Sequence, residues 1–153
     1  MVSAAVSKLG CTDLIFVKPG VKVRGAYYRD VVLRQQMLPA IEQLAGDVYV
    51  FQQDNAPALR ARATIEFLRL EFIPPDLWPA ISPDLNPVDY CIWGRVQQCV
   101  YQKPVKDVDE LKQRLVEVWS GLRQTVVDDA IDEWRRRLRA CVRVKGQHFE
   151  HLL

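Results

Sequence analysis

The chain has 153 residues, of which 49% are apolar and 26% are charged, a balance typical of one globular domain with a single core. The formal net charge is only +2, so bulk charge does not identify a nucleic-acid-binding protein. No apolar run reaches the roughly 20 residues of a membrane-spanning helix, and the first residues lack the basic leader of a secretory signal. The four cysteines include no Cys-x-x-Cys pair, which argues against a zinc site or a disulfide framework and indicates free thiols in a reducing compartment.

The first predicted elements are two short strands, over residues 1–7 and 12–17, joined by a turn at Leu9-Gly10-Cys11. Both segments are rich in β-branched residues, so they predict a hairpin. Apolar residues then recur at largely helical spacing and predict a helix from about residue 26 to residue 45. Gly46 is expected to end this helix.

The middle of the chain predicts a strand and a second helix. Residues 48–53 contain four apolar residues in succession, a pattern that favours a strand buried on both faces. Pro57 suits the first turn of a helix that runs to about Leu70. A short strand is expected at Phe72-Ile73, followed by a loop over residues 79–87.

The last third of the chain predicts three helices. Asn86 is a good N-cap, with Pro87 at the first helical position, and Pro104 separates the first of these helices from the second. The element order predicts an α/β chain with a helical C-terminal third. The apolar stripes of the three helices are Val88, Ile92, Val96 and Val100; Val108, Leu111, Leu115, Val118 and Leu122; and Val127, Ile131, Trp134, Leu138 and Cys141.

Two acidic residues lie at positions that are compatible with either a helix-capping role or a catalytic role. Asp54 directly follows the predicted strand over residues 48–53, and functional sites gather at the carboxyl ends of strands in open α/β sheets. Asp89 lies in the first turn of the helix after Asn86. Asp54 also suits the cap of the next helix, and Asp89 also suits the helix dipole. Composition and periodicity alone therefore leave both roles open for each residue.

The segments around these acids resemble the signature blocks of mariner-superfamily transposases. Gln53-Asp54-Asn55-Ala56-Pro57 is similar to the block that ends a strand with the second catalytic carboxylate, and residues 82–89 (Ser-Pro-Asp-Leu-Asn-Pro-Val-Asp) are similar to the block that carries the third. Thirty-four residues lie between Asp54 and Asp89, which matches one spacing typical of the family. Residues 14–23 and 148–153 also resemble relatives, so the likeness extends over nearly the whole chain.

The resemblance implies an incomplete RNase H-like fold, a mixed sheet flanked by helices, over residues 1–103, with a helical extension over residues 104–153. It implies Asp54 and Asp89 as catalytic residues and metal ligands, Mg²⁺ or Mn²⁺ as cofactor, and DNA as substrate. In such sites carboxylates hold two cations about 3.5–4 Å apart, one activating the nucleophile and the other stabilising the leaving oxygen. Hard cations of this kind prefer oxygen ligands.

The sequence departs from the family pattern at the first carboxylate, which the resemblance places on a strand preceding residues 1–7. Neither that residue nor the helix-turn-helix region that relatives carry further upstream has a counterpart in this sequence. Two aspartates hold a pair of cations poorly because catalysis requires positioning within a fraction of an ångström. We therefore expect weak metal binding, marginal stability and no catalysis by this chain alone.

A cluster of basic residues predicts a second functional surface. Between Trp134 and Phe149 there are six basic residues and no acid, and such a run either contacts DNA phosphates or is a solvated helix face. Five of the six are candidate nucleic-acid-binding residues: Arg135, Arg136, Arg139, Arg143 and Lys145.

Several residues with less specific signals have structural interpretations. His148 and His151 are three residues apart and have no supporting acid or cysteine pattern, so a metal role is not favoured. The four tryptophans are expected in the core rather than as platforms for stacked bases, and Asp84 is expected to organise its loop.

Three functions from different classes follow from the sequence. The first is a transposase-derived catalytic-domain fragment. The second is a non-catalytic module that binds DNA through its basic C-terminal helix or pairs with a protein through an exposed sheet edge. The third is the unstable product of a decayed element. DNA as a substrate implies a nuclear location, and a homodimer is compatible with the sequence.

Overall fold

The structure, a computed structural model, describes residues 1–53, 62–68, 83–146 and 148–153. The chain divides into two packed units, Met1–Ser82 and Pro83–Leu153. The division predicted from the sequence, at residue 103, concerns the limits of the family's catalytic domain and stays a prediction. The second helix and the short strand predicted after Asp54 lie largely outside the described residues, as does the loop before residue 83.

The hairpin at the start of the chain is present, with its turn one position earlier than predicted. Strands β1 (Val2–Ser3) and β4 (Ile15–Phe16) pair antiparallel, as do β2 (Val6–Ser7) and β3 (Gly10–Cys11). Lys8 and Leu9 form the two-residue turn, so Gly10 and Cys11 belong to the returning strand. Gly10 has a φ of 146°, and a Cβ there would lie 2.7 Å from Leu44 Cδ2. A larger residue at this position is therefore strained by the backbone conformation and requires the Leu44 side chain to move.

A β-bulge between the two halves of the hairpin explains why it forms two short ladders. Val2 is opposite Phe16, whereas Val6 is opposite Cys11, so the returning strand contains one extra residue. Thr12 fills this gap: its Oγ1 accepts a hydrogen bond of 2.9 Å from the Ala5 amide, and its own amide donates to Ala5 O. Thr12 is 4% exposed, and its hydroxyl replaces the missing ladder partner.

The predicted helix over residues 26–45 is present as α1, made of the consecutive stretches Gly25–Tyr27, Tyr28–Met37 and Leu38–Ala45. The middle stretch is π-helical, a detail that the spacing of the apolar residues does not predict. Val32, Leu33 and Met37 in this stretch are buried in the core of the first unit. Gly46 ends the helix with a φ of 67°, as predicted.

The predicted strand over residues 48–53 is not present: in the structure only Phe51 forms an isolated bridge. The expected burial on both faces is also wrong, because Val48 and Val50 are 91% and 73% exposed, whereas Tyr49 and Phe51 pack against the core of the first unit. The apolar run therefore covers this core with alternate residues only. Helix α2 (Arg62–Phe67) follows, and Phe67 and Leu68 join the same core.

The second unit contains the three predicted helices. Helix α3 comprises a π-helical stretch, Val88–Ile92, and an α-helical stretch, Trp93–Val100. Helices α4 (Val108–Ser120) and α5 (Gln124–Arg143) follow, and a short 3-10 turn, Glu150–Leu152, comes near the end of the chain. No helix in the part of the chain that the structure describes has the length and apolar character to cross a membrane.

The apolar stripes predicted for these helices are buried to different degrees. Ile92, Val96 and Val100 on α3 are at most 1% exposed, and Trp119 on α4 is buried and packs against Trp93 with ring centroids 5.7 Å apart. Val108, the first predicted apolar residue of α4, is instead 55% exposed. The core of this unit therefore includes the latter part of α3 and the end of α4, together with the buried side of α5.

Candidate functional site

The start of helix α3 places Asp89 in a tightly specified first turn. Asn86 Oδ1 accepts a hydrogen bond of 3.1 Å from the Val88 amide, and Asn86 O accepts from the amides of Asp89 and Tyr90 at 2.9 and 3.0 Å. Asn86 therefore acts as the N-cap, as the sequence predicts. The preceding 3-10 turn, Pro83–Leu85, buries Leu85 completely. Asp89 is half-buried. It lies in the first turn of the helix, which is fixed by the Asn86 cap and preceded by the packed 3-10 turn.

Asp54, the other predicted catalytic residue, lies outside the described residues. The residue before it is firmly held: Tyr28 Oη donates a hydrogen bond of 2.8 Å to Gln53 Oε1, and both side chains are buried. A buried amide bonded to a buried hydroxyl fixes the segment that leads to Asp54. Gln53 is one of four polar or charged residues that are buried among the described residues, with Thr12, Thr64 and Arg137.

Arg137 lies inside the second unit, beside the segment that carries Asp89. Its side chain is 7% exposed, and its Nε donates a hydrogen bond of 2.5 Å to Asp84 O. Its guanidinium carbon lies 4.1 Å from the centre of the Tyr90 ring, within the range of a cation–π contact. Its Nη2 donates a hydrogen bond to Glu150 Oε1 at 3.1 Å. These contacts connect helix α5 to the residues on both sides of Asp89.

Tyr90, which directly follows Asp89, is held at both its ring and its hydroxyl. The phenol Oη donates a hydrogen bond to Ala130 O on helix α5, while the ring face receives Arg137. Desolvation by burial raises the pKa of the Tyr90 phenol to about 12, although the positive charge of Arg137 acts in the opposite direction. Tyr90 therefore stays neutral and keeps its donor proton across the physiological range.

The basic residues of helix α5 and of the segment after it divide into two groups. Arg137 alone is buried, whereas the five predicted nucleic-acid-binding residues are exposed. We call these five the basic face. Since α5 presents the basic face to solvent while the opposite side packs, the cations remain available for an anionic partner. The basic face consists of Arg135, Arg136, Arg139, Arg143 and Lys145.

The other sequence candidates have mostly structural positions. His148 and His151 are exposed, with ring centroids 5.8 Å apart, and the described residues bring together no group of three or more potential metal ligands from His, Cys, Asp and Glu. Asp84 contributes its backbone carbonyl to Arg137, which agrees with its expected role in organising the loop. Trp119 lies in the core, whereas Trp78 lies outside the described residues.

Sequence reasoning missed the structural role of Arg137, which the run of basic residues concealed. The apolar stripe predicted on α5 includes Ile131 and Leu138, but the residues buried most deeply are Val127, Ala130, Arg137 and Cys141. Their spacings of three, seven and four residues place Arg137 on the buried side of the helix. This spacing is visible in the sequence, but a charged residue is rarely assigned to a core position.

Comparison with curated proteins finds relatives among transposases of nematode elements. The chain is 30% identical over 119 residues to the transposable element Tcb2 transposase of Caenorhabditis briggsae, which covers 78% of this chain and 43% of the relative. It is 28% identical over 127 residues to the Tc3 transposase of Caenorhabditis elegans, covering 82% and 38%. The chain thus spans less than half the length of these relatives. No family model matches the sequence.

Solved structures with the same fold come from the Mos1 mariner transposase. Its catalytic domain matches with a TM-score of 0.80 and 25% identity, over 97% of this chain and 75% of that one. A Mos1 paired-end complex with the left transposon end matches at 0.77 and 26% (94% and 42%), and a paired-end complex with Mn at 0.78 and 26% (94% and 43%). The RNase H-like fold predicted from the sequence is confirmed by these likenesses.

Proposed function

Because the chain is a homologue of the Tc1/mariner transposases, we propose that it is a transposase-derived catalytic-domain module that binds DNA. The ancestral reaction is metal-dependent cleavage and joining of DNA strands. Asp54 and Asp89 are the residues of this sequence assigned to that reaction. For the chain acting alone we propose binding without cleavage.

The observation that carries DNA binding is the basic face of helix α5 and its following segment. Its five cations are exposed, and no acid interrupts the run between Trp134 and Phe149. Arg135, Arg139 and Arg143 are four residues apart, so they follow one side of the helix over about 12 Å. A row of arginines suits the phosphates of a DNA backbone because each guanidinium offers several donors to anionic oxygen.

The carboxylates of Asp89 and Asp54 are of the type that would hold a divalent cation. Asp89 is fixed at a capped helix start, half-buried, and its neighbours Asp84 and Tyr90 are held by Arg137. Oxygen donors suit Mg²⁺ and Mn²⁺, and a Mos1 complex contains Mn. A cation bound there would supply Lewis-acid assistance for phosphoryl transfer. Two assigned carboxylates give fewer ligands than such a site requires, which supports weak metal affinity and no cleavage by this chain.

One experiment separates the proposed binding from catalysis. The chain is incubated with supercoiled plasmid and Mn²⁺, and DNA binding is measured in parallel in EDTA by fluorescence anisotropy. The proposal expects salt-sensitive binding in EDTA and no nicking in Mn²⁺. Nicking that Asp54→Asn abolishes would overturn the inactive part of the proposal, and absence of binding at low salt would overturn its DNA-binding part.

A second candidate function, a protein-binding module, is favoured by the exposed side of residues 48–53. Val48 and Val50 are large apolar residues that the described structure leaves 91% and 73% exposed. An exposed apolar surface of this kind is suited to packing against another polypeptide. If Val48→Lys and Val50→Lys together abolish self-association without affecting DNA binding, this surface serves protein contact.

Location and assembly follow from the proposed substrate. We propose a nuclear location because DNA is the proposed partner, and the location of a fluorescent fusion tests it. The Mos1 structures include paired-end complexes, and a homodimer on DNA is the corresponding proposal for this chain. Sedimentation of the chain with and without a DNA duplex tests it.

A further inference from the structure

A buried arginine next to a candidate metal ligand needs an explanation. Burial of a charged side chain costs several kcal/mol unless it is paired and hydrogen-bonded. Arg137 is 7% exposed, whereas the other basic residues of its run are exposed. An apolar residue would fill the same position on the packed side of α5 without this cost, so the specific contacts of the guanidinium indicate what it does.

Those contacts converge on the segment around Asp89 from two directions. Nε donates to Asp84 O, in the 3-10 turn that precedes the Asn86 cap, and the guanidinium plane lies over the ring of Tyr90, the residue after Asp89. Asp84 precedes Asp89 in the sequence and Tyr90 follows it, and the Arg137 side chain contacts both of these residues. The backbone between these two contacts includes the capping hydrogen bonds from Val88, Asp89 and Tyr90 to Asn86.

We propose that Arg137 is the positioning residue that fixes the helix start carrying Asp89, and hence the direction in which the Asp89 carboxylate faces. The proposal rests on the proposed function insofar as Asp89 is a metal ligand. Arg137 does not contact the metal or DNA in this role; it acts through Asp84 and Tyr90.

The end of the chain completes this arrangement. Glu150 Oε1 accepts from Arg137 Nη2 at 3.1 Å, and the ring of Phe149, which is 4% exposed, lies 5.7 Å from the guanidinium carbon. These residues add a hydrogen bond and a ring contact to those from Asp84 and Tyr90. Because Glu150 is exposed and its pairing is weakened by solvent, it assists the orientation of Arg137 and is less important than the contacts to Asp84 and Tyr90.

This geometry requires an arginine, and another cationic side chain does not satisfy it. The planar guanidinium donates from Nε and Nη2 in different directions and stacks on an aromatic ring at the same time. A lysine keeps the charge but offers no donor at the Nε position and no planar group for Tyr90. Arg137→Lys therefore removes the positioning contacts while preserving the net charge of the chain.

The test measures backbone amide hydrogen exchange, by NMR, in the full chain and in three variants. Arg137→Lys is the main variant, and Glu150→Gln is a milder one that keeps the guanidinium and its bond to Asp84. Arg136→Lys is the matched control, since Arg136 is the exposed neighbour on the same helix. Mn²⁺ binding is measured on the same four proteins by water proton relaxation.

In Arg137→Lys we expect the amides of Val88, Asp89 and Tyr90 to exchange about tenfold faster, the loss expected for hydrogen bonds to a charged donor. Amides within α4 change by less than about twofold, because local opening does not require global unfolding. Glu150→Gln shifts the same three amides in the same direction by a smaller factor, and Arg136→Lys leaves them unchanged. Mn²⁺ binding weakens in Arg137→Lys in parallel with the local exchange.

Each contrary outcome has a distinct meaning. Faster exchange throughout the second unit in Arg137→Lys, with no excess at residues 88–90, would show a general packing role and overturn the proposal. If Arg137→Lys does not fold, unchanged exchange at these residues in Glu150→Gln overturns it. Equal Mn²⁺ affinity in the unmodified chain and in folded Arg137→Lys also overturns it. If the unmodified chain binds no Mn²⁺, the metal site of the proposed function fails, and the exchange measurement alone decides the positioning role.

Discussion

Neutralising part of the basic face gives the most quantitative prediction. Arg135 and Arg139 are both exposed, four residues apart on α5, and their replacement by glutamine (Arg135→Gln with Arg139→Gln) removes two cations without disturbing the buried side of the helix. If each contacts one phosphate, each contributes about 0.9 to the slope of log affinity against log salt concentration. The double variant should therefore lower this slope by roughly 1.8.

The same relation predicts the change in affinity. Between 50 and 200 mM salt, one phosphate contact accounts for about a 3.5-fold loss of affinity, and two account for about a 12-fold loss. The assay is fluorescence anisotropy of a labelled DNA duplex, titrated at four or more salt concentrations in EDTA. At low salt the variant binds more weakly than the unmodified chain, and the two titrations converge as the salt concentration rises.

A matched control separates local contacts from net charge. Lys103→Gln with Lys106→Gln removes two exposed cations of the same unit, so the net charge falls equally. The control should retain the slope of the unmodified chain. A slope that is unchanged in the α5 variant, or reduced equally in both variants, would refute the assignment of the basic face to phosphate contacts.

Three further predictions concern local structure. Asp107 Oδ1 accepts hydrogen bonds from the amides of Asp109 and Glu110 at 3.0 and 2.8 Å, so Asp107→Ala should lower the free energy of unfolding by about 1 kcal/mol and the Tm by roughly 2–4 °C. Thermal denaturation measures this change, with Asp109→Ala as the control at an exposed acid. Equal decreases in Tm in both variants would contradict the capping role. Asn86→Ala should loosen the start of α3, seen as faster amide exchange at Val88, whereas Asn86→Asp keeps an acceptor and should retain protection; equal protection in both variants would contradict this. The pKa of Tyr90 is raised above its unfolded value, so its contribution to stability is complete below about pH 10 and is lost as the pH rises towards 12. The ultraviolet titration of Tyr90 is obtained as the difference between the unmodified chain and Tyr90→Phe. A Tyr90 phenolate that appears near pH 10 would refute the burial argument.

Local signals in the sequence predict much of this fold. Asn86, Pro87 and Gly46 mark helix ends through backbone chemistry that depends on a few neighbouring residues, and the structure has those ends. The stripe of Ile92, Val96 and Val100 is likewise set by helical periodicity. These features are predictable because each depends on interactions within a few residues of the chain.

The differences arise where a distant partner decides the local conformation. The π-helical geometry of Tyr28–Met37 is not visible in the spacing of its apolar residues, and the exposure of Val48 and Val50 shows that the burial of an apolar run depends on the elements that pack against it. Arg137 is a similar case, because its burial is stabilised by Asp84, Tyr90 and Glu150, which are 53, 47 and 13 residues away in the sequence. The sequence contains the spacing that places Arg137 on the buried side of the helix, but it does not show the partners that stabilise the buried charge.

The candidate site was predicted from sequence blocks rather than from periodicity. Asp89 stands where the helix prediction placed it, in the first turn after Asn86, but a first-turn aspartate also has a purely structural interpretation. Its assignment as a metal ligand, and that of Asp54, stays a prediction that requires direct measurement.

Metal binding by the chain tests the central claim most directly. Mn²⁺ is titrated into the unmodified chain, Asp89→Asn, Asp54→Asn and the control Asp129→Asn, an exposed acid on α5, and bound metal is followed by electron paramagnetic resonance. The account predicts weak binding by the unmodified chain, unchanged binding by Asp129→Asn, and a clear loss of affinity in both Asp89→Asn and Asp54→Asn. Affinity that is the same in all four proteins would contradict the assignment of Asp54 and Asp89 as metal ligands.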